Sequence, residues 1–146
     1  MKSLEFALKC HKIVGGYGEG EALVSHEQIC FYHTNPKTGI FRERNHELEG
    51  KNIANKVLVF PSGKGSSVVQ VDGLFKLASN NVAPKAMIVE DVETVLVVSA
   101  VIAKVPLVNR LEDDPFKRIH TGDFVKVDAE KGLVTITKSD PRFTSA

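Results

Sequence analysis

The stretch VLVFPSGKGSSVVQVDGLFKLAS, residues 57–79, changes its periodicity once, and that change sets the fold class. Val57-Leu58-Val59-Phe60 is an unbroken apolar run stopped by a proline, the pattern of a short strand buried on both faces. Pro61-Ser62-Gly63-Lys64-Gly65 cannot prolong that strand, because Pro61 has no amide donor and the two glycines favour turns. Beyond it Val68, Val71, Leu74, Phe75 and Ala78 recur at three- and four-residue steps. Asp72 and Lys76 stand four apart as a surface pair, so an amphipathic helix is predicted over 66–79. Strand, loop and helix in this order open a β-α-β unit.

Toward the C-terminus the alternation continues. Ala86 to Val89 reads as a strand, Glu93 to Lys104 as an apolar helix in spite of its β-branched residues, and Pro106 to Val108 as a further short strand. Consecutive units of this kind imply parallel pairing with right-handed crossovers. Phe124, Val125 and Val127 then lead through Asp128 to Gly132 into Val134 to Thr137, a hairpin pattern. Toward the N-terminus, Leu4, Phe6, Leu8 and Cys10 alternate as in a half-buried strand until the run Gly15-Gly16-Tyr17-Gly18-Glu19-Gly20 interrupts it, implying a bend or a close backbone approach. Ala22 to Val24 and Ile29 to Tyr32 read as short strands, and Asn35-Pro36-Lys37-Thr38-Gly39 as a tight turn into Ile40-Phe41. The expected fold is α/β, a bent β layer joined to a β-α-β unit. One domain is expected over 1–138, with 139–146 a flexible tail.

At 146 residues, with 42% apolar and 25% charged residues, the chain has the make-up of one globular domain. A net charge of +1 gives no general attraction to nucleic acid or to an anionic membrane, so neither is expected as a partner. No signal core and no apolar run of membrane length is evident, and a cytoplasmic location is expected. Cys10 and Cys30 lack neighbours at metal-motif spacing, and His11, His26, His33, His46 and His120 form no spaced ligand set. No metal is expected on this chain.

The loop is where chemistry is expected. A glycine-rich loop between strand and helix points backbone N–H groups and the positive end of the helix dipole at an anion. Gly63 and Gly65 permit close approach, Lys64 adds a mobile positive charge, and Ser66 and Ser67 bring hydroxyls. A carboxylate or phosphate suits such a site. It is not a Walker loop, because Lys64 lies between two glycines rather than before Ser/Thr at the required spacing. The plain alternative is a β-to-α turn with Ser66 as helix N-cap. Asp113-Asp114 before Pro115 reads as a solvated turn or helix start. Glu19 and Glu21, flanking Gly20, either face solvent or approach a neighbouring active site.

Five segments carry a resemblance: Glu19-Gly20-Glu21-Ala22-Leu23-Val24, Asn45-His46-Glu47-Leu48-Glu49-Gly50, Phe60 to Ser66, Ala83-Pro84-Lys85-Ala86 and Thr121-Gly122-Asp123. In order and spacing they make the chain, over about residues 2–137, similar to the small-subunit family of aconitase X, whose fold is like the mobile swivelling domain of aconitases. The resemblance implies a hydro-lyase subunit, inactive alone, with Ser66 as the general base. Gly63, Lys64, Gly65 and Ser67 would bind the anionic hydroxy-acid substrate. It also implies a large partner subunit that carries an iron–sulfur centre. A separate small subunit points to the archaeal two-subunit type that dehydrates mevalonate 5-phosphate to trans-anhydromevalonate 5-phosphate; bacterial relatives act on cis-3-hydroxy-L-proline. This chain departs from many relatives in carrying His33-Thr34 where they have Gly-Gly, and Val68-Val69-Gln70 where they are rich in Gly and Ser. A non-catalytic anion-binding module and a nucleotide-sensing domain are the competing readings.

Overall fold

The computed structural model describes residues 3–139. Along the chain run β1 (Ser3–Lys9), β2 (His11–Val14), β3 (Tyr17–Val24), β4 (Val57–Phe60), α1 (Ser67–Ser79), β5 (Ala86–Val89), α2 (Thr94–Ala103), β6 (Leu107–Asn109), α3 (Pro115–Arg118), β7 (Phe124–Asp128) and β8 (Leu133–Ser139). The strands make one sheet in the order β1-β8-β7-β3-β4-β5-β6-β2. As expected, β4, β5 and β6 pair in parallel across the helical crossovers, and β7 and β8 form the hairpin. The expected tail lies largely at 140–146, outside the described residues, while Ser139 closes β8.

β3 joins the two halves. Its first part, Tyr17 to Glu21, pairs antiparallel with β7, and its second, Ala22 to Val24, pairs parallel with β4. From Tyr17 onward the glycines therefore continue the strand and let it be crowded. A Cβ at Gly18 would run into the Lys85 carbonyl, and one at Gly20 would lie 2.6 Å from the Asn55 carbonyl oxygen. The strand breaks fall at Cys10 and at Gly15-Gly16, so the first glycines of the run interrupt the alternation as expected and the later ones take the close approach. β1 and β2, separated by Cys10 alone, occupy the two ends of the sheet, so the sheet curls until those ends meet.

Period-two alternation sorts the buried strand residues into two cores. Val57, Val59, Ala86, Ile88, Val125, Val127, Val134 and Ile136 fill the interior of the curl. Leu58, Phe60, Met87 and Val89 point the other way, against Leu74 and Leu77 of α1 and Leu96 and Ala100 of α2. Burial on both faces is why β4 and β5 read as continuous apolar runs.

Two expectations are corrected. Ile29 to Tyr32 is not a strand: Phe31–His33 is a 3-10 turn, and Ile29 makes only an isolated bridge to Gly63. The buried face of α1 is also rotated from the one the apolar spacing implied. It consists of Gln70, Gly73, Leu74 and Leu77, while Val68 is 76% and Phe75 49% exposed. The cause is Gly73, where a Cβ would lie 2.5 Å from the Tyr32 nitrogen. The 3-10 turn packs directly on the bare helix backbone, and a hydropathy count gives glycine no weight.

Candidate functional site

The loop after β4 is pinned from several sides before it delivers Ser66. The Pro61 carbonyl accepts from the amides of Glu90 (3.2 Å) and Asp91 (2.9 Å), which fastens the loop to the end of β5. Ile29 N–H donates to the Ser62 carbonyl at 3.1 Å, and Lys64 N–H donates to the Ile29 carbonyl at 3.1 Å. Buried Ser62 accepts from Gln28 Nε2 at 2.8 Å. Gln28 is itself held through its carbonyl by His46 Nε2 at 2.8 Å. Leu48 N–H donates to His46 Nδ1 at 3.0 Å, so both ring nitrogens are engaged and His46 braces the segment that holds Gln28.

Beyond this brace the backbone turns sharply. Gly65 adopts φ +104°, and a Cβ there would press on Cys30 Sγ at 3.0 Å. Gln70, one turn into α1 and 1% exposed, reaches back over the loop. Its Nε2 donates to the Gly65 carbonyl at 3.2 Å and to Glu93 Oε1 at 3.2 Å. Glu93 also caps α2, accepting from Leu96 N–H at 2.9 Å and Val95 N–H at 3.2 Å. The starts of both helices are thus tied together through one amide. Gln70 Oε1 is buried without a partner, against Gly63. Turning the amide over would aim that oxygen at two acceptors, so the orientation is fixed by its neighbours.

Ser66 occupies the N-cap position, with φ −71° and ψ 161°, but its hydroxyl makes no capping bond. The plain turn-and-cap reading thus accounts for its backbone and not for its side chain. Ser66 and Ser67 are exposed at the positive end of the 13-residue α1, with a free hydroxyl beside uncapped amides. Lys64, expected as a mobile charge, is instead held by Glu43, its Nζ 2.7 Å from Oε2. Glu43 is a residue that sequence reading missed, as are the bracing Gln70 and Glu93. Only the position of Glu93, ahead of an apolar run, hinted at its capping role. An anion arriving at the loop meets the helix N-terminus, the Ser66 hydroxyl and an ammonium group already fixed in place.

The remaining candidates lie elsewhere. Glu19 and Glu21 are exposed on the N-terminal part of β3, beyond the start of β4 and so at the opposite end of the sheet from the loop; Glu19 accepts from the Tyr17 hydroxyl at 2.8 Å. That bond pushes the Tyr17 phenol above its ordinary range. Asp114 caps α3 through Phe116 N–H at 2.9 Å, the helix start expected of it. His11 faces Asn109, His26 pairs with Glu47, and His120 meets Lys138. Among the described residues no three His, Cys, Asp or Glu side chains gather as a metal-binding group, and no helix is long and apolar enough to cross a membrane. The residues present do not fit an iron–sulfur cluster on this chain.

A curled mixed sheet, two helices on one face and a serine preceded by glycine at a helix start define an α/β domain of the swivelling type. The family model of the aconitase X swivel domain matches residues 7–136, and the chain belongs to that family. The chain is 42% identical over 130 residues to the phosphomevalonate dehydratase small subunit of Methanococcoides burtonii, covering 88% of this chain and 94% of that one. It is 42% identical over 128 residues to the protein of the same name from Archaeoglobus fulgidus, covering 87% and 96%. Among solved structures, the crystal structure of Thermococcus kodakaraensis aconitase X in its holo-form superposes with a TM-score of 0.81 at 41% identity, covering 89% of this chain and 97% of that one.

Proposed function

We propose that this chain is the small subunit of an aconitase X-type dehydratase, which eliminates water from mevalonate 5-phosphate to give trans-anhydromevalonate 5-phosphate together with a large subunit. The names of its full-length relatives support the reaction and the partner. The observation that carries the role of the site is the Ser66 hydroxyl, exposed and uncommitted at an uncapped helix start. Ser66 takes the proton from the carbon next to the substrate carboxylate. A serine hydroxyl is a poor base in water, and the helix dipole, the neighbouring N–H groups and Lys64 favour the negative charge it must bear. Gly63 and Gly65 let the carboxylate approach the backbone, and Ser67 and Lys64 hold it, the lysine shared with Glu43. The iron–sulfur Lewis acid that activates the leaving hydroxyl belongs, on this reading, to the large subunit.

The test is dehydration by the co-expressed, anaerobically purified pair, with mevalonate 5-phosphate and cis-3-hydroxy-L-proline offered separately. Turnover of the phosphate ester, lost in Ser66→Ala, is the expected result. Turnover of hydroxyproline alone would replace the substrate. Failure to form any complex would favour the non-catalytic anion-binding module.

A further inference from the structure

We infer that the cleft between the Phe31–His33 turn and the flank of α1 is the subsite for the substrate's remote phosphate, with Arg42 as its main ligand. The inference rests on the reaction proposed above and adds where the second charge of the substrate is read.

The cleft has a volume of about 420 Å³, and its lining includes Tyr32, His33, Thr34, Arg42, Gly73 and Lys76 with no acidic side chain. Lys76 shares its charge with Asp72 at 3.0 Å, whereas Arg42 has no ion-pair partner among the described residues. Thr34 is 3% exposed, and its hydroxyl is buried without a hydrogen-bond partner. A free guanidinium, an imidazole and an unsatisfied hydroxyl suit a phosphate monoester, whose oxygens accept from all three. Two other cavities lack this balance. One of about 250 Å³ sets Arg110 among Glu90, Asp113 and Asp114, which repel an anion. Another of about 420 Å³ carries Lys85 and Lys104 and no acidic side chain, but it lies past the C-terminal ends of α1 and α2, where the helix dipoles are negative, and no guanidinium lines it.

The cleft is tied to the loop by residues next to its lining. Cys30, just before the turn, abuts Gly65, and Glu43, just after Arg42, holds Lys64. Gly73, on the cleft wall, is seven residues from Ser66, roughly 10 Å along α1 at the α-helical rise per residue. Mevalonate 5-phosphate carries its phosphate three carbons beyond the carbon that loses the proton, a chain long enough to lie from Ser66 into the cleft. Hydroxyproline has no second anionic group to place there. His33 and Thr34 line the cleft and bring an imidazole and a hydroxyl to that end of the substrate.

The experiment compares mevalonate 5-phosphate with unphosphorylated mevalonate in the assembled enzyme, for wild type, Arg42→Ala and Arg42→Lys. Loss of one charge-assisted contact lowers the preference for the phosphorylated substrate, taken as the ratio of the two kcat/KM values, by about tenfold in Arg42→Ala. The loss is carried by KM, and Arg42→Lys recovers part of it. An unaltered ratio in an active Arg42→Ala enzyme overturns the subsite and leaves the reaction standing. If the wild-type pair turns over neither compound, the reaction reading falls, and the cleft is decided by NMR titration of the full chain with inorganic phosphate. Shifts at the His33, Thr34 and Arg42 amides that vanish in Arg42→Ala support the subsite. No shifts, or shifts confined to residues 63–67, overturn it.

Discussion

The antiparallel half of the sheet, β1-β8-β7 with the start of β3, and the parallel half, β4-β5-β6 with its loops, are built to different standards. In the antiparallel half each strand continues in register against its neighbour, from Ser3 with Ser139 to Lys9 with Leu133 and from Phe124 with Thr137 to Asp128 with Leu133. Around the parallel half, three buried side-chain atoms among the described residues lack a hydrogen-bond partner: Thr34 Oγ1, Glu43 Oε1 and Gln70 Oε1. All three cluster beside the loop that carries Ser66 or the cleft next to it. A buried polar atom without a partner costs on the order of 1–3 kcal/mol, so this end of the molecule holds polar groups that folding alone does not reward. One half is finished as a scaffold, and the other keeps buried polar groups unpaired beside the proposed site.

If that division is right, activity and stability should separate by region. The largest effect falls at Ser66. Replacing it by alanine removes an exposed hydroxyl that caps nothing, so the melting temperature of the chain stays within a degree or two while dehydration by the assembled enzyme falls by about 10²–10⁴-fold. A stability loss as large as the activity loss would break the comparison. Gly18→Ala probes the other side. Its Cβ collides with the Lys85 backbone carbonyl where β3 meets the chain entering β5, and backbone on both sides leaves little room to yield. Destabilisation of about 3 kcal/mol, read as a lowered denaturant midpoint at unchanged m-value, is expected.

The same division decides what could be read from the sequence. β4, α1, β5, α2 and β6 were legible because each is a local pattern, an apolar run or a three-to-four repeat between glycine and proline. The closure of the sheet was not, because it depends on β1 finding β8 and β2 finding β6 across most of the chain. Alternation within Leu4 to Cys10 identifies a strand and says nothing of its partner. At the site, the glycines and Ser66 stood out, since a loop between strand and helix has a recognisable chemistry. Glu43 and the bracing role of Gln70 did not, because their meaning lies in contacts with Lys64 and with Glu93, 21 and 23 residues away. The misread phase of α1 has the same origin, a helix face fixed by a backbone that packs on Gly73.

Gln70 offers a finer test than Ser66, because it is buried like scaffold and joined to the site. Gln70→Leu keeps the bulk and removes the unpartnered oxygen, but it also takes the donor from the Gly65 carbonyl and from Glu93. A modest net loss of about 1 kcal/mol in stability is expected. Because Gly65 immediately precedes Ser66, kcat should fall about tenfold with KM changed less. Gln70→Glu, which has the shape but faces Glu93 and the Gly65 carbonyl without donors when ionised, should be the worse of the two. If both variants retain full kcat, the brace serves folding alone.

The smallest effect belongs to the seam of the curl, where Cys10 joins the two ends of the sheet and its amide donates to the Gly132 carbonyl at 2.9 Å. Burial, assisted by the charge of Asp128, raises the Cys10 thiol from 9.0 to about 11. The folded pKa lies above the unfolded one, so the neutral thiol's contribution to stability is complete below about pH 9 and is lost as the pH climbs through about 11. The denaturation midpoint should therefore fall over that interval by slightly more in the wild type than in Cys10→Ala. At pH 9.5 iodoacetamide should modify Cys10 more slowly in the folded than in the denatured chain, since the thiolate is the reactive form. Equal rates would mean that the seam opens readily, and the antiparallel half would then be no more closed than the site it supports.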